Sequence, residues 1–245
     1  MPLAGRILAA VIDRLRHARV VQGAVLALAF LAATTPVDEA LHDFVFRHVV
    51  SHEVRLLANG FTLLGTTEVA TVGLLGLAVV ARRAADAPMW KAAVGGVAGV
   101  LLAGLSTQAV KHIACRARPR LVEGWGVGTA MPSETPARLG FFHWPCFGER
   151  GYHGFPSGHA ATAFAVAAAL AGWAPSRHRW WVVASASGVG VSRIVLNAHF
   201  LSDVLGGALL GWWAGELGVY LVTRYLAPRW RARTPGRAPR RPAAV

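Results

Sequence analysis

Apolar residues in this chain fall in long runs, and the polar positions between them gather at the ends of the runs rather than at a repeating spacing within them. Val20–Val37 (18 residues), Ala92–Val110 (19) and Val204–Thr223 (20, with Glu216 inside) are nearly free of charge, and Leu56–Ala81 (26) carries only Glu68. Runs of about 20 apolar residues can cross roughly 30 Å of hydrocarbon as helices. Two shorter runs, Ala160–Ala174 (15) and Trp180–Ser192 (13), reach that length once Pro156–His159 and Arg193–Leu196 add the missing turns. The pattern predicts an all-α polytopic membrane protein with six transmembrane helices. Ahead of them, Leu3, Ile7, Leu8, Val11, Ile12 and Leu15 recur at helical spacing among basic residues, which predicts an amphipathic N-terminal helix on the inner membrane surface. Pro36–Arg55 mixes polar and apolar residues and reads as a short helix on the outer surface.

The expected organisation is an amphipathic helix over residues 1–19, a six-helix membrane domain over 20–227 with a long outer loop at 119–155, and a disordered basic tail over 228–245. The first run could be the core of a cleaved signal peptide, but its basic lead of 19 residues is long for one and favours a retained helix. Gly95-x3-Gly99 in the third helix and Gly207-x3-Gly211-x3-Gly215 in the sixth are small-residue spacings that let helix backbones approach closely.

Composition agrees with the pattern. Charged residues make up 15% of the chain against about 25% in soluble proteins, and 54% of residues are hydrophobic. The net charge of +13 suggests nucleic acid until its distribution is considered. With the N-terminus cytoplasmic, sixteen of the 25 basic residues fall on cytoplasmic loops and tails, as the positive-inside rule requires, while Asp38, Glu39, Asp43 and Glu53 fall outside. Anionic lipid headgroups, not nucleic acid, are the expected contact of the basic tail. The two cysteines, Cys115 and Cys146, both fall outside the cytoplasm, where a disulfide is plausible and two free thiols are the alternative. A bridge closing about 30 residues would contribute roughly 3–4 kcal/mol in the chain-entropy picture.

Three polar clusters interrupt the apolar background. Lys111 is followed after six residues by Arg118-Pro119 at the end of the third helix; Pro156-Ser157-Gly158-His159 opens the fourth; Ser192-Arg193 precedes His199 and Asp203 at the start of the sixth. With helices alternating in direction, all three reach the outer face. Lys111, Arg118 and Arg193 supply fixed positive charge, and guanidinium groups grip phosphate oxygens two at a time. Ser157 and Gly158 sit at a helix N-terminus, whose free N–H groups and dipole favour an anion, and Pro156 suits a helix start. His199 and Asp203 lie at i and i+4 if the sixth helix begins near Phe200. The carboxylate then fixes the tautomer and leaves the second imidazole nitrogen free to attack. His159 is placed to act as acid and then base. Glu68 and Glu216, acids inside apolar runs, are functional candidates that a hydrogen bond to a neighbouring helix would explain equally well. Outer-face histidines, among them His143, His153, His159 and His199, admit a metal site, which the surrounding cations would oppose.

Together the three clusters resemble the three-part signature of the type 2 phosphatidic acid phosphatase superfamily, over about residues 56–223. The resemblance implies a six-helix membrane fold with an active site facing the periplasm or exterior; the Gly/Ala/Arg-rich composition fits a bacterium and the charge distribution fits cytoplasmic termini, so the bacterial inner membrane, with the site facing the periplasm, is the expected location. It implies hydrolysis of a lipid phosphate monoester or pyrophosphate through a phosphohistidine, without metal or other cofactor. His199 would be the nucleophile, His159 the acid/base and Asp203 the partner of His199. Lys111, Arg118, Ser157, Gly158 and Arg193 would bind the phosphate. Membrane lipids and the lipid substrate are the expected partners, with neither nucleic acid nor an obligate protein partner. A lipid phosphotransferase using the same intermediate is the alternative. Vanadate-dependent haloperoxidases, which the superfamily also resembles, are disfavoured by six spans, and a non-catalytic transporter or scaffold would tolerate loss of His199.

Overall fold

A computed structural model describes residues 27, 36–122, 140–146, 148 and 150–227. The expected amphipathic helix at 1–19, most of the first apolar run and the tail at 228–245 lie outside the described residues. Among the described residues the architecture is helical: α1 (36–44), α2 (His52–Leu64), α3 (Thr67–Arg83), α4 (Ala87–Ala114), α5 (Gly158–Ala171), α6 (Arg179–Val195) and α7 (Leu201–Leu221).

Local chemistry sets the helix ends. Ser51 caps α2 by accepting from Val54 N at 3.3 Å, and Asp86 caps α4 by accepting from Met89 N at 2.9 Å. The run expected to form one helix from Leu56 to Ala81 breaks instead, and α2 and α3 meet at 52°. Two residues make the break. Thr66 turns its hydroxyl back to donate to the Leu63 carbonyl at 2.8 Å, and Gly65 fits where a methyl would lie 3.1 Å from the His159 carbonyl oxygen and inside the Val189 side chain. Thr66 then starts α3 in extended geometry. By length and apolar composition, α4 and α7 with their extensions (Ala87–Leu121 and Leu201–Leu226) qualify as spans, and the bent α2–α3 pair brings the number to three. The 14-residue α5 is too short to qualify by that measure. The expected count of six is therefore not reached on these criteria among the described residues.

Helix α5 sits at the centre, packed against α7, α4 and α6, with α7 also against α4 and α3 against α4. The core is made of small side chains: Ala70, Val100, Ala103, Ala161, Ala165 and Ala214 meet in one cluster. Two expected glycine rows explain the closeness. A methyl at Gly99 would lie 2.7 Å from the Gly215 Cα, and one at Gly207, Gly211 or Gly215 would run into the backbone carbonyl of Ser157, Ala161 or Ala165. Outside, Leu57, Val72, Leu101 and Leu105 stand exposed. Bulky apolar side chains turned outward around a core of alanine and glycine fit a protein whose solvent is lipid.

Helix α1 is where expected in sequence and exposes most of its residues, but two of its polar side chains turn inward. Asp38 and His42 are 1% and 2% exposed, because α1 turns them into the interior beside α7.

Candidate active site

The three polar clusters meet at one end of the bundle. Lys111 lies in the last turn of α4 and is buried. Its Nζ approaches the first turn of α5, where a methyl at Gly158 would stand 3.6 Å from it. Arg118 follows α4, and Lys111 feels the charges of Arg118, Asp203 and Arg193. Arg193, in the last turn of α6, donates from Nη1 to Thr62 Oγ1 at 3.0 Å. His159, in the first turn of α5, lies within electrostatic reach of Arg193, Lys111 and Arg118. None of the three cations is ion-paired among the described residues. The Nε groups of Arg118 and Arg193 are buried without a hydrogen-bond partner there. Buried N–H groups of that kind are rare unless a ligand satisfies them.

One detail differs from the sequence expectation. Pro156 does not begin α5; Ser157 is the N-cap and Gly158 the first helical residue. Ser157 is fully buried, its Oγ accepting from Ala160 N at 3.5 Å while its own N–H donates to the Asp203 carbonyl at 2.9 Å. It thus locks the start of α5 to the start of α7.

Helix α7 begins at Leu201, so His199 lies just outside it with Asp203 one turn in. His199 N–H donates to the Arg193 carbonyl at 3.2 Å, which ties the imidazole-bearing loop to the end of α6. His199 Nδ1 lies 3.5 Å from Asp203 Oδ2. That is the long limit of a hydrogen bond, so the contact between the two is weak in the resting state. Burial holds the His199 imidazole well below its ordinary value, at about 4; Asp203 opposes this, and Arg118 and Arg193 add to it. At that value the ring is neutral at pH 7.

The sequence reading missed what stands behind Asp203. Arg116 is fully buried. Its Nη1 donates to Asp203 Oδ1 at 2.5 Å and to Ser202 Oγ at 2.6 Å, and its Nη2 donates to Asp38 Oδ2 at 2.7 Å. Asp38 Oδ1 accepts from Ser202 N at 2.9 Å, and Asp203 Oδ2 accepts from Phe200 N at 2.9 Å. The guanidinium is sandwiched between the rings of Phe141 and Phe200, 4.6 and 4.7 Å from their centroids. A strap at residues 140–146 supplies Phe141. Phe142 N donates to the Ala114 carbonyl, Gly154 N to the Arg116 carbonyl, and Cys146 is bonded to Cys115. The plausible disulfide therefore forms, and it fastens the strap over Arg116.

Among the described residues no three His, Cys, Asp or Glu side chains converge as a metal site requires. Below the polar site, an apolar groove of about 530 Å³ opens between α3 and α6 with α5 as its floor, lined by Leu64, Gly73, Val166, Leu170, Trp181 and Val189 among others.

Comparison with known proteins converges with this geometry. A 70-residue stretch is 50% identical to a lipid A 1-phosphatase of Porphyromonas gingivalis, covering 27% of this chain and 16% of that protein. A lipid A 1-phosphatase of Rhizobium etli is 31% identical over 125 residues, 51% of this chain and 48% of that protein. A lipid A 4'-phosphatase of Helicobacter pylori is 35% identical over 97 residues, 38% of this chain and 45% of that protein. The chain thus spans less than half the length of these curated relatives. Two crystal structures share the fold. LpxE of Aquifex aeolicus matches at a TM-score of 0.53 and 18% identity over 74% of this chain and 93% of its own. A transmembrane PAP2-type phosphatidylglycerolphosphate phosphatase of Bacillus subtilis matches at 0.53 and 21% over 84% and 96%. Residues 92–227, which carry all three polar clusters and the helices that bring them together, match the PAP2 superfamily, and this membrane protein belongs to that family.

Proposed function

We propose that the protein is a membrane phosphatase that hydrolyses a lipid phosphate monoester or pyrophosphate through a phosphohistidine on His199, without a metal. The observation that carries this reading is the convergence of Lys111, Arg118 and Arg193, none ion-paired among the described residues, on a helix N-terminus flanked by two histidines. The phosphate sits against the Gly158 backbone and the three cations, with Ser157 completing the helix start. His199 Nε2 attacks phosphorus, an N–P bond forms and the P–O bond to the lipid breaks. His159 gives its proton to the departing oxygen, then takes one from the water that cleaves the N–P bond. The cations and backbone N–H groups stabilise the charge on the equatorial oxygens. The site is read as facing the periplasm from a bacterial inner membrane, the side it would take if both termini are cytoplasmic, with residues 20–227 as the catalytic domain. Among lipid phosphates, the named relatives favour lipid A.

The assay is phosphate release from a panel that includes lipid A phosphates, phosphatidic acid, phosphatidylglycerol phosphate and undecaprenyl pyrophosphate, in excess EDTA. Undiminished turnover in EDTA is expected. Activity lost to EDTA and restored by a divalent ion would overturn the mechanism. Phosphate moved to an added acceptor lipid, with none released, would make the protein a phosphotransferase.

The groove supports a lipid as substrate. It begins at Leu64, next to Gly65 against the His159 backbone. From His159 to Leu170 is about 16 Å along α5 at 1.5 Å per residue, or half of a roughly 30 Å hydrocarbon core. An acyl chain hanging from the phosphate site fits that depth. Gly73 lines the groove with nothing within 4 Å of where its Cβ would be, so Gly73→Phe can direct its ring into the groove. The expected result is a KM raised about 10-fold for a long-chain lipid phosphate, as loss of a few buried methylenes would give, and unchanged for a short soluble phosphate ester. Equal effects on both would remove the groove from the substrate's path.

A further inference from the structure

The Asp38–Arg116 pair does more than fill the interior. A buried ion network of two carboxylates and one guanidinium is a poor way to gain stability, since apolar side chains of similar volume do as well. This one lies directly behind the carboxylate that faces His199. Arg116 holds Asp203 Oδ1 at 2.5 Å, and Phe200 N holds Oδ2 at 2.9 Å. The carboxylate therefore cannot rotate about its Cβ–Cγ bond, and Oδ2 is the oxygen presented to His199 Nδ1. Asp38 grips the same turn of α7 from the other side through Ser202 N and Ser202 Oγ. It also takes the second arm of the guanidinium. The positive charge is thus divided between two acids, and Asp203 keeps enough negative charge to support the imidazolium character that His199 gains as it is phosphorylated.

We propose that Asp38 and Arg116 are positioning residues for phosphoryl transfer, with Arg116 fixing the orientation of Asp203 and Asp38 restraining how much of its charge Arg116 neutralises. The proposal rests on the reading of His199 as nucleophile. It also gives the segment leading out of the first apolar run a part in the chemistry, although Asp38 and Ser202 are 164 residues apart.

The test uses the full chain in detergent, with Asp38→Asn and Arg116→Lys. Asn at 38 keeps an acceptor for Ser202 N but releases the whole guanidinium charge to Asp203. Lys at 116 keeps a charge without the fork that joins both acids. For each variant, three quantities are measured: kcat with a lipid phosphate, the single-turnover rate of phosphoenzyme formation, and the inhibition constant of inorganic phosphate. A drop of 10-fold or more is expected in kcat and in phosphoenzyme formation, with phosphate inhibition changed less than twofold, because Lys111, Arg118 and Arg193 remain in place. Wild-type kcat in both variants would overturn the proposal. So would kcat and phosphate binding falling together, which marks a merely structural role. If Arg116→Lys does not fold, Asp38→Asn alone decides by the same criteria, and if neither folds the pair is structural and the proposal fails. Absence of a phosphoenzyme in the wild type would instead sink the underlying reading of His199.

Discussion

Replacing His199 by Ala is expected to abolish phosphate release from a lipid phosphate, with a loss larger than the roughly 10²–10⁴-fold typical of a removed acid–base group. The reason is that His199 would form the bond to phosphorus rather than assist one. Its imidazole is 2% exposed, neutral because burial holds it at about 4, and anchored through its backbone to the Arg193 carbonyl. Among the described residues His199 is the histidine that pairs with Asp203; His159 lies on α5 and feels the charges of Arg193, Lys111, Arg118 and Glu68. His159→Ala should behave differently. With a lipid phosphate it should slow both steps, whereas with a substrate whose leaving oxygen needs no proton it should still form phosphoenzyme and then accumulate it. The measurement is acid-quenched labelling with a ³²P-phosphorylated substrate. Label should be absent in His199→Ala, and in His159→Ala with the activated substrate it should persist. Label retained by His199→Ala would move the nucleophile elsewhere.

The sequence made the candidate site residues legible because each is an unusual residue at a helix end. It made their support much less so. Arg116 stands two residues before Arg118, at a membrane boundary where an arginine reaching for water is commonplace. Nothing in the local pattern distinguishes one that is fully buried from one that snorkels. Asp38 was read with Glu39 and Asp43 as part of an outer charge balance, yet the helix carrying them is amphipathic in a different sense. It turns Asp38 and His42 inward, and Asp43 outward to an exposed pair with Arg47 at 2.6 Å. A hydrogen bond across 164 residues leaves no local trace. The break after Leu64 was hidden for a related reason. Gly65-Thr66 is a weak stop signal, and what enforces the bend is the closeness of His159 and Val189 from other helices. The glycine rows were legible as packing devices, and they hold α5, α4 and α7 in backbone contact.

That backbone contact predicts the largest effect on the fold. Gly211→Leu is expected to destabilise the protein by more than about 3 kcal/mol, the upper end of ordinary overpacking. Overpacking against side chains is eased by rotamer changes, but here the obstacle is backbone. A Cβ at Gly211 would lie 2.8 Å from the Ala161 carbonyl carbon and Cα, and closer still to its oxygen. Relief requires α5 and α7 to separate, and the Ser157 N to Asp203 carbonyl bond at the end of that same seam would be strained with them. His159 and His199 ride on the two sides of that seam, so activity should fall further than the folded fraction does. Gly60 provides the contrast: it lies in α2 with nothing within 4 Å of its Cβ position, and Gly60→Ala should be neutral or stabilising by about 0.5–1 kcal/mol through its better helix propensity. Even Gly211→Ala, which adds only the Cβ, should act in the opposite direction. Thermal aggregation midpoints in detergent for Gly60→Ala, Gly211→Ala and Gly211→Leu give the comparison. A Gly211→Leu protein that melts with the wild type would mean that α5 and α7 are not in backbone contact, and the convergence of Ser157, His159, His199 and Asp203 would lose its structural basis.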